Sequence, residues 1–484
     1  MTSTTATRAP AGIARRSGNP RSRAASIGLW LVMLAQLMLV LDATVVNVAL
    51  PHIATDLHFD RAELSWVLNG YAVAFGGLLL LGGRIGDVFG RRRTFLLGVA
   101  AFTLFSLLGG LATSPLLLVI ARALQGLGAA FAAPSVLALI TTSARDDGAR
   151  NRALALFSAI ASMGGALGLI LGGLLTDTTS WRWTLFINVP IGVVVLIAVP
   201  RLVAETPRRP GRFDILGAVT ATGGAVAIVW ALIQAGDVGW SSPRTIGGLV
   251  VGAALIAVLA VTERRVAHPL LRPQLLRSPS RVAALAAMAA TYGGMLAMFF
   301  LMVQYLEDDL HLTPMVTGLA FLPMPLSIFA MSRIVPRLLE RVGAVRLVIF
   351  GTALRVVAFL PLTQLNANTP FALVVLALLG TGISAGLTFM PLTTLALRNV
   401  QPEHAGSASG LFQTMQQLGG AIGLAIVAST YAAFAIPGDF LIGGRAGFWS
   451  ATVLSALALA AVVGLVFKPR TVAESAISAS SPEA

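Results

Sequence analysis

Asp42 and Arg122 stand where ionisable side chains are rarely found. Each lies inside a long apolar run, LWLVMLAQLMLVLDATVVNVALP for the first and PLLLVIARALQGLGAA for the second. A charge surrounded by hydrocarbon costs several kcal/mol unless it is paired, hydrated or neutralised by a proton. Asp42 is therefore read as a group that binds and releases a proton; the alternative is a hydrogen-bonding group at a helix kink. Its depth points to a partner. Asp42 is about 15 residues into its run, or ~22 Å from the basic N-terminal side at 1.5 Å per residue. Arg122 is about seven residues into a run of opposite direction, or ~10 Å from the other side. In an apolar layer of ~30 Å these depths nearly coincide, so the two are expected to pair. A proton on Asp42 would then weaken the pair; the alternative is a static ion pair that fixes packing.

Other polar residues within or near apolar runs are Asn47, Asn69, Gln125, Gln304, Gln413, Gln416 and Gln417. Such groups need a partner or a wet cavity, so they are candidates for lining a small-molecule path. Gln413 and Gln417 are one helical turn apart and share a face. Arg355 is a second base in mid-run with no acid nearby in sequence. It could pair across the cavity, attract an anion or reach toward an interface.

Several chemistries are excluded. There is no cysteine, so thiolate nucleophiles, thiolate metal sites and disulfides are ruled out. The sole lysine, Lys468, follows no glycine-rich phosphate loop, so the chain has no ATP site of that kind. The five histidines (52, 58, 268, 311, 404) fall in expected loops without metal-ligand spacing, and Glu307, Asp308 and Asp309 read as a solvated loop cluster. No metal, cofactor or nucleic-acid partner is expected. The net charge of +14 is parcelled out in short groups between apolar runs rather than gathered on one basic surface.

The elements that must position these residues are membrane helices. With 56% hydrophobic and 11% charged residues, 484 residues cannot cover themselves with a water-compatible surface. Fourteen apolar stretches near the length that spans a bilayer run from 27–50 to 446–467. Twenty-eight of the 34 basic residues fall on the side of the N-terminus, alternating loop by loop. By the positive-inside rule both termini are expected in the cytoplasm. The expected organisation is a basic tail over 1–25, retained because no cleavage site follows the first run, a six-helix bundle over 26–200, a linker with two inserted helices over 201–280, a second six-helix bundle over 281–467, and a tail over 468–484. Asp214 is placed to cap the seventh span.

An internal repeat supports two halves. GRIGDVFGRRR (83–93) returns as PRLLERVGAVR (336–346), aligning Arg84, Asp87, Gly90 and Arg93 with Arg337, Glu340, Gly343 and Arg346. GGALGLI (164–170) returns as GGAIGLA (419–425). Spans 1–6 thus match spans 9–14, with 7 and 8 inserted between them, the parallel-repeat plan of one class of secondary transporters. Arg84, Asp87, Gly90 and Arg91, with Arg337 and Glu340, sit at the rim where an interhelical latch could hold one conformer. Gly164, Gly168, Gly172 and Gly173 have the small-xxx-small spacing that lets helices approach closely.

The two copies of the GRIGDVFGRRR string resemble the signature of the major facilitator superfamily. LDATVVNVALP (41–51), RALQGLGAA (122–130) and WRWTLFINVPIG (181–192) are similar to motifs of its 14-spanning drug:proton antiporter branch, the EmrB/QacA type. The resemblance covers nearly the whole chain. It implies an all-α integral membrane protein of two six-helix repeats plus two inserted helices, exporting small amphipathic molecules by alternating access. The proton gradient would drive it, with no cofactor and no ATP, as a monomer in a bacterial plasma membrane. The fifth-span motif departs from the branch: GALGLILGG (165–173) has Leu169 where a proline is expected. Two rival readings are a membrane-embedded enzyme acting on a lipid-linked substrate, and an importer or facilitator of the same fold. In relatives that export dications the span matching 13 tends to carry carboxylates; here it carries glutamines.

Overall fold

The computed structural model of the protein describes residues 20–60, 63–143, 147–206, 208, 214–266, 275–276, 278–366, 368–400, 405–436 and 439–466. The expected tail over 468–484 lies outside these, as do residues 1–19 of the other, and His268 and His404. The described chain is helical, with one isolated bridge between Ile436 and Asp439.

In chain order the helices are α1 (Pro20–Leu57), α2 (Trp66–Phe89), α3 (Arg91–Gly110), α4 (Pro115–Ser143), α5 (Asp147–Thr178) and α6 (Asn188–Leu202). The short helix Trp183–Phe186 leads into α6. Two helices follow, α7 (Ile215–Val238) and α8 (Pro243–Thr262). The last six are α9 (Pro279–Gln304), α10 (Pro314–Ala320 with Pro323–Val342), α11 (Ala344–Phe359), α12 (Phe371–Leu397), α13 (Ala405–Phe434) and α14 (Phe440–Val466). Among the described residues 13 of these are long and apolar enough to cross a bilayer. The fifth expected span falls in α5, whose described apolar stretch is Leu167–Thr178. An outer belt of exposed Leu97, Leu104, Ile197, Phe350, Val357 and Leu376 faces the surroundings, as hydrocarbon solvent requires.

Local chemistry sets the helix starts. Prolines, which lack the amide a first turn leaves unpaired, open α8, α9 and α10. Asp214 caps α7, its Oδ1 accepting from Gly217 N at 2.7 Å. Boundaries differ from expectation at three helix ends, the first being that α1 begins at Pro20, inside the tail expected over 1–25. α1 runs past residue 50 to Leu57, because Pro51 removes only its own hydrogen bond while Ile53 and Leu57 remain buried. His52 is therefore helical, not in a loop. α9 continues as a π-helical turn over Tyr305–Asp309, which buries Glu307 instead of leaving it in a solvated loop.

The repeat is visible in the backbone. Gly90 and Gly343, matched in the two motif copies, have φ of 107° and 83° and each joins one helix directly to the next. Only glycine adopts such angles without strain. The glycine pairs also match. Gly164, Gly168 and Gly172 of α5 press on Val40, Leu41, Thr44 and Val45 of α1, while Gly419 and Gly423 of α13 press on Ala289 and Gly293 of α9.

The cores show how the halves meet. On the face opposite the arginine-rich loops, Val45–Leu57 of α1 and Leu64 and Leu68 before and within α2 share one core with Ala297–Leu306 of α9, Phe321, Phe359 and Phe448. Toward the arginine-rich face there are two separate cores. One joins Val32, Met38, Phe95, Phe102, Leu139 and Val199; the other joins Ala284, Met288, Val348, Leu392 and Phe412. The conformation is thus closed at one face and divided at the other. α7 seals a flank, packing Ala225, Val229 and Ile233 against Ala72 and Val73 of α2 and Ala421 and Ala425 of α13.

Candidate functional site

Asp42 and Arg122 meet in the interior of the first half. The distance from Arg122 Nη1 to Asp42 Oδ2 is 2.7 Å, and the two side chains are 1% and 0% exposed. Asp42 is surrounded by donors. Its Oδ1 accepts from Gln125 Nε2 at 2.7 Å and from Asn188 Nδ2 at 2.9 Å. Arg122 also donates through Nε to the Val67 carbonyl at 3.1 Å and through Nη1 to Gln125 Oε1 at 2.8 Å. Its guanidinium lies 4.7 Å from the centre of the Tyr71 ring. Ser106 closes the network: its hydroxyl donates to the Leu185 carbonyl and accepts from both Gln125 and Asn188. Five helices, α1, α2, α3, α4 and α6, contribute to this one network, with α4 and α6 bonding the carboxylate directly.

The spacing of α4 explains part of this. Arg122 and Gln125 are three residues apart and share a face. Gln125, grouped in the sequence with cavity residues, bonds Asp42 directly. Ser106 and Asn188 were not singled out by sequence reasoning. Asn188 lies within WRWTLFINVPIG, and an amide inside an apolar helix is the signal that could have found it.

The other candidates are dispersed. Asn47 donates to the Ala43 and Thr44 carbonyls of its own helix, and Asn69 to Ser65 Oγ at 3.4 Å; both are buried, and the Oδ1 of each has no hydrogen-bond partner. Gln304 is buried and donates to the Phe300 carbonyl, within the core shared by the two halves. Gln413 is exposed in mid-helix, while Gln416 and Gln417 are half-buried, with Gln417 against Gly76 of α2. Arg355 is buried in the second half, held by the Thr291 carbonyl at 2.9 Å and Ser384 Oγ at 3.0 Å. The described structure places no carboxylate in an ion pair with it.

At the rim, Arg91 Nη2 lies 2.6 Å from Asp87 Oδ1, stapling the turn between α2 and α3. Glu205, absent from the sequence candidates, organises this turn. Its carboxylate accepts from the backbone amides of Arg92 and Arg93 at 2.9 and 3.1 Å, capping α3 where the helix dipole favours a negative charge. A β-carbon on Gly90 would lie 2.7 Å from that carboxylate. The second copy is built differently. Arg337 and Glu340 are exposed and in no described ion pair, and a β-carbon on Gly343 would meet open space. Arg84 is half-buried on α2.

The glycines of α5 serve two contacts. Gly164, Gly168 and Gly172 face α1, whereas Gly173 abuts the Pro314 carbonyl at the start of α10, in the other half. Leu169 is buried within an unbroken helix, and a β-carbon on Gly318 of α10 would lie 2.5 Å from its carbonyl. On the same face Arg182 and the Trp181 indole both donate to Asp56 at the end of α1, at 2.5 and 2.9 Å. No cluster of three or more metal-ligating side chains occurs among the described residues.

Repeated halves that share a core at one face only, with a buried ion pair between helices of one half, define a multi-pass membrane transporter rather than an enzyme. The chain belongs to the Major Facilitator Superfamily, whose family model matches residues 32–424. It is 40% identical over 410 residues to the puromycin resistance protein pur8 of Streptomyces alboniger, covering 83% of this chain and 80% of that one. It is 38% identical over 428 residues to the cephamycin export protein CmcT of Amycolatopsis lactamdurans, covering 86% and 87%. A third relative is the tetracenomycin C resistance and export protein of Streptomyces glaucescens, 31% identical over 398 residues, covering 82% and 74%. Among solved structures, a peptide transporter of the POT group in complex with sulfate superposes with a TM-score of 0.65 at 15% identity, covering 92% of this chain and 98% of that one. The nucleoside transporter NupG gives 0.63 at 14%, covering 91% and 100%. These two share the fold.

Proposed function

We propose that this protein exports small amphipathic antibiotics or related natural products from the cytoplasm, in exchange for protons taken up at Asp42. The observation that carries the coupling is the Asp42 carboxylate itself, enclosed by three donors on two helices, α4 and α6. The relatives named for puromycin, cephamycin and tetracenomycin C support the substrate class.

The mechanism follows from what a proton would change. Neutral Asp42 no longer balances Arg122, whose other contacts to Val67, Gln125 and Tyr71 stay on α2 and α4. The attraction holding α1 to α4 and α6 falls. Thr44 and Val45, the next residues along α1, are those seated on Gly168 and Gly172 of α5, and Gly173 touches Pro314 across the halves. The proton site is therefore one helix removed from the contact that closes the face opposite the arginine-rich loops. Loading Asp42 would bias that contact, and substrate and proton would exchange through opposite states of the two halves.

Under this reading the arginine-rich face is cytoplasmic, both termini lie there, and the described conformation is open to the cytoplasm. The protein works as a monomer in a bacterial plasma membrane and needs neither ATP nor cofactor. Asp87 and Arg91, with Arg84, Gly90, Arg337 and Glu340, hold the cytoplasmic gate; Asn47, Asn69, Gln304, Arg355, Gln413 and Gln417 tune the substrate path. Efflux of a fluorescent lipophilic cation from cells tests the proposal, with and without a protonophore, in wild type and Asp42→Asn. Efflux that collapses with the protonophore and is lost in the variant supports it. Efflux indifferent to both ends the coupling argument.

A further inference from the structure

Glu307 poses a problem that the Asp42 network does not absorb. Its side chain is 4% exposed, yet neither carboxylate oxygen has a hydrogen bond. It sits in the π-helical turn at the end of α9, and such turns, rare in helices, recur at functional sites. The group opposite is His52 of α1, whose Nδ1 lies 3.5 Å from Glu307 Oε2 and whose side chain is 47% exposed. The ion pairs of Asp42, Asp87, Asp56 and Glu205 all join residues that precede α7 in the chain; this one crosses from the first half to the second. It does so on the closed face, beside the contact of Gly173 with Pro314. A buried carboxylate whose cationic partner is a half-exposed imidazole is a poor structural device, since a glutamine or leucine would avoid its desolvation. It is a suitable proton receptor at a seam that must open.

We propose that His52 and Glu307 form a second proton-binding site, a latch between the two halves that holds the face opposite the arginine-rich loops shut while both members are charged. This inference rests on the transport reading above. Taking up a proton at Glu307, or losing one at His52, removes the attraction across the seam. The surrounding charges are Asp177 at the end of α5 and Asp308 in the π turn. The Thr317 hydroxyl of α10 stands beside Glu307. Asp56, one turn along α1 from His52, is taken by Arg182 and Trp181, and Arg445 of α14 is turned to the Leu365 carbonyl. Asp309 has His311 and Asp439 as its charged neighbours. Neither Asp177 nor Asp308 supplies a positive charge, so His52 is the cation that answers Glu307. In a cycle driven by protons entering from outside, acid on that side would open the face where the proton must enter.

The chain has no cysteine, so spin labels at Thr55→Cys and Asn368→Cys, both exposed on that face, report the seam directly. Distances would be measured in nanodiscs across pH 4–9, a range of ~5 pH units bracketing carboxylate and imidazole titration. At intermediate pH, Glu307→Gln should lower the closed-to-open ratio about two- to five-fold relative to wild type, the worth of a half-exposed ion pair. That difference should vanish in acid, where wild-type Glu307 is itself neutral. His52→Lys, which keeps the charge but not the imidazole titration, should stay closed at alkaline pH where wild type opens. Equal ratios for wild type and Glu307→Gln at every pH, or a difference that persists unchanged in acid, would overturn the latch. Dye efflux of the unlabelled protein is a separate readout. If wild type moves no substrate but the label distances behave as stated, the latch stands and the export reading fails. If efflux is proton-driven while the labels ignore Glu307, the latch alone fails.

Discussion

Neutralising Asp42 and Arg122 singly and together tests the buried network most directly. Asp42 accepts three charge-assisted hydrogen bonds, at 2.7 Å from Arg122, 2.7 Å from Gln125 and 2.9 Å from Asn188. In Asp42→Asn one acceptor oxygen becomes an amide nitrogen, a donor facing donors, and Arg122 is left as an uncompensated buried cation. Removing one member of such a pair costs about 3–5 kcal/mol. Arg122→Gln strands the carboxylate instead, at a similar cost. The double variant, with neither charge, should lose less than either single, which requires a coupling energy larger than one single loss, above about 3–5 kcal/mol. Thermal melts of the purified protein in detergent give the order: wild type highest, the double variant next, the two singles lowest. Proton-driven efflux should be absent from all three variants, so stability recovers while function does not. If each single stays within about 1 kcal/mol of wild type and the effects simply add, the site is hydrated and loosely held, and the buried-charge reasoning fails.

The geometry sets the outcome of further substitutions. Asn188→Ala removes the bonds to Asp42 and Ser106 and should cost about 1–3 kcal/mol in melts, with a shifted pH profile of efflux, because one donor to the Asp42 carboxylate is gone. Glu205→Ala should cost about 1–2 kcal/mol by uncapping α3. Gly90→Ala should destabilise more than Gly343→Ala, since both meet a positive φ but only the former meets a carboxylate, and Glu205→Ala should relieve part of the difference. Gly168→Val should abolish folded expression by forcing α5 off α1. Gly173→Val, which blocks only the approach to Pro314, should leave expression intact and lengthen the distance between labels at residues 55 and 368.

The broad architecture was legible because a bilayer imposes it. Backbone polar groups cannot be left unpaired in hydrocarbon, so runs near 20 apolar residues must be helices, and their order follows from counting. The departures fell at helix ends, where composition stops constraining the chain: α1 passes Pro51 and α9 continues as a π turn. Those extensions turned His52 and Glu307, read as loop residues, into a pair across the seam. Glu205 was missed because a glutamate after the last apolar residue of a span looks like any surface charge. Only the fold brings it under the amides of α3, 112 positions from Arg93.

The sequence by itself determined that the chain lives in a membrane, that its helices repeat in two sets, and that Asp42 and Arg122 stand at matching depths. These depend on hydropathy, periodicity and rise per residue, which are local or additive quantities. Depth is one coordinate, however, and two residues at one depth can still lie on opposite sides of a bundle. The tertiary structure decided the rest: that Asn188 and Ser106 join the carboxylate, that Arg355 lies in the other half, and that one face is closed. Which helix faces which is set by glycine contacts and by the satisfaction of buried polar groups, and those conditions exist only once all the helices are packed.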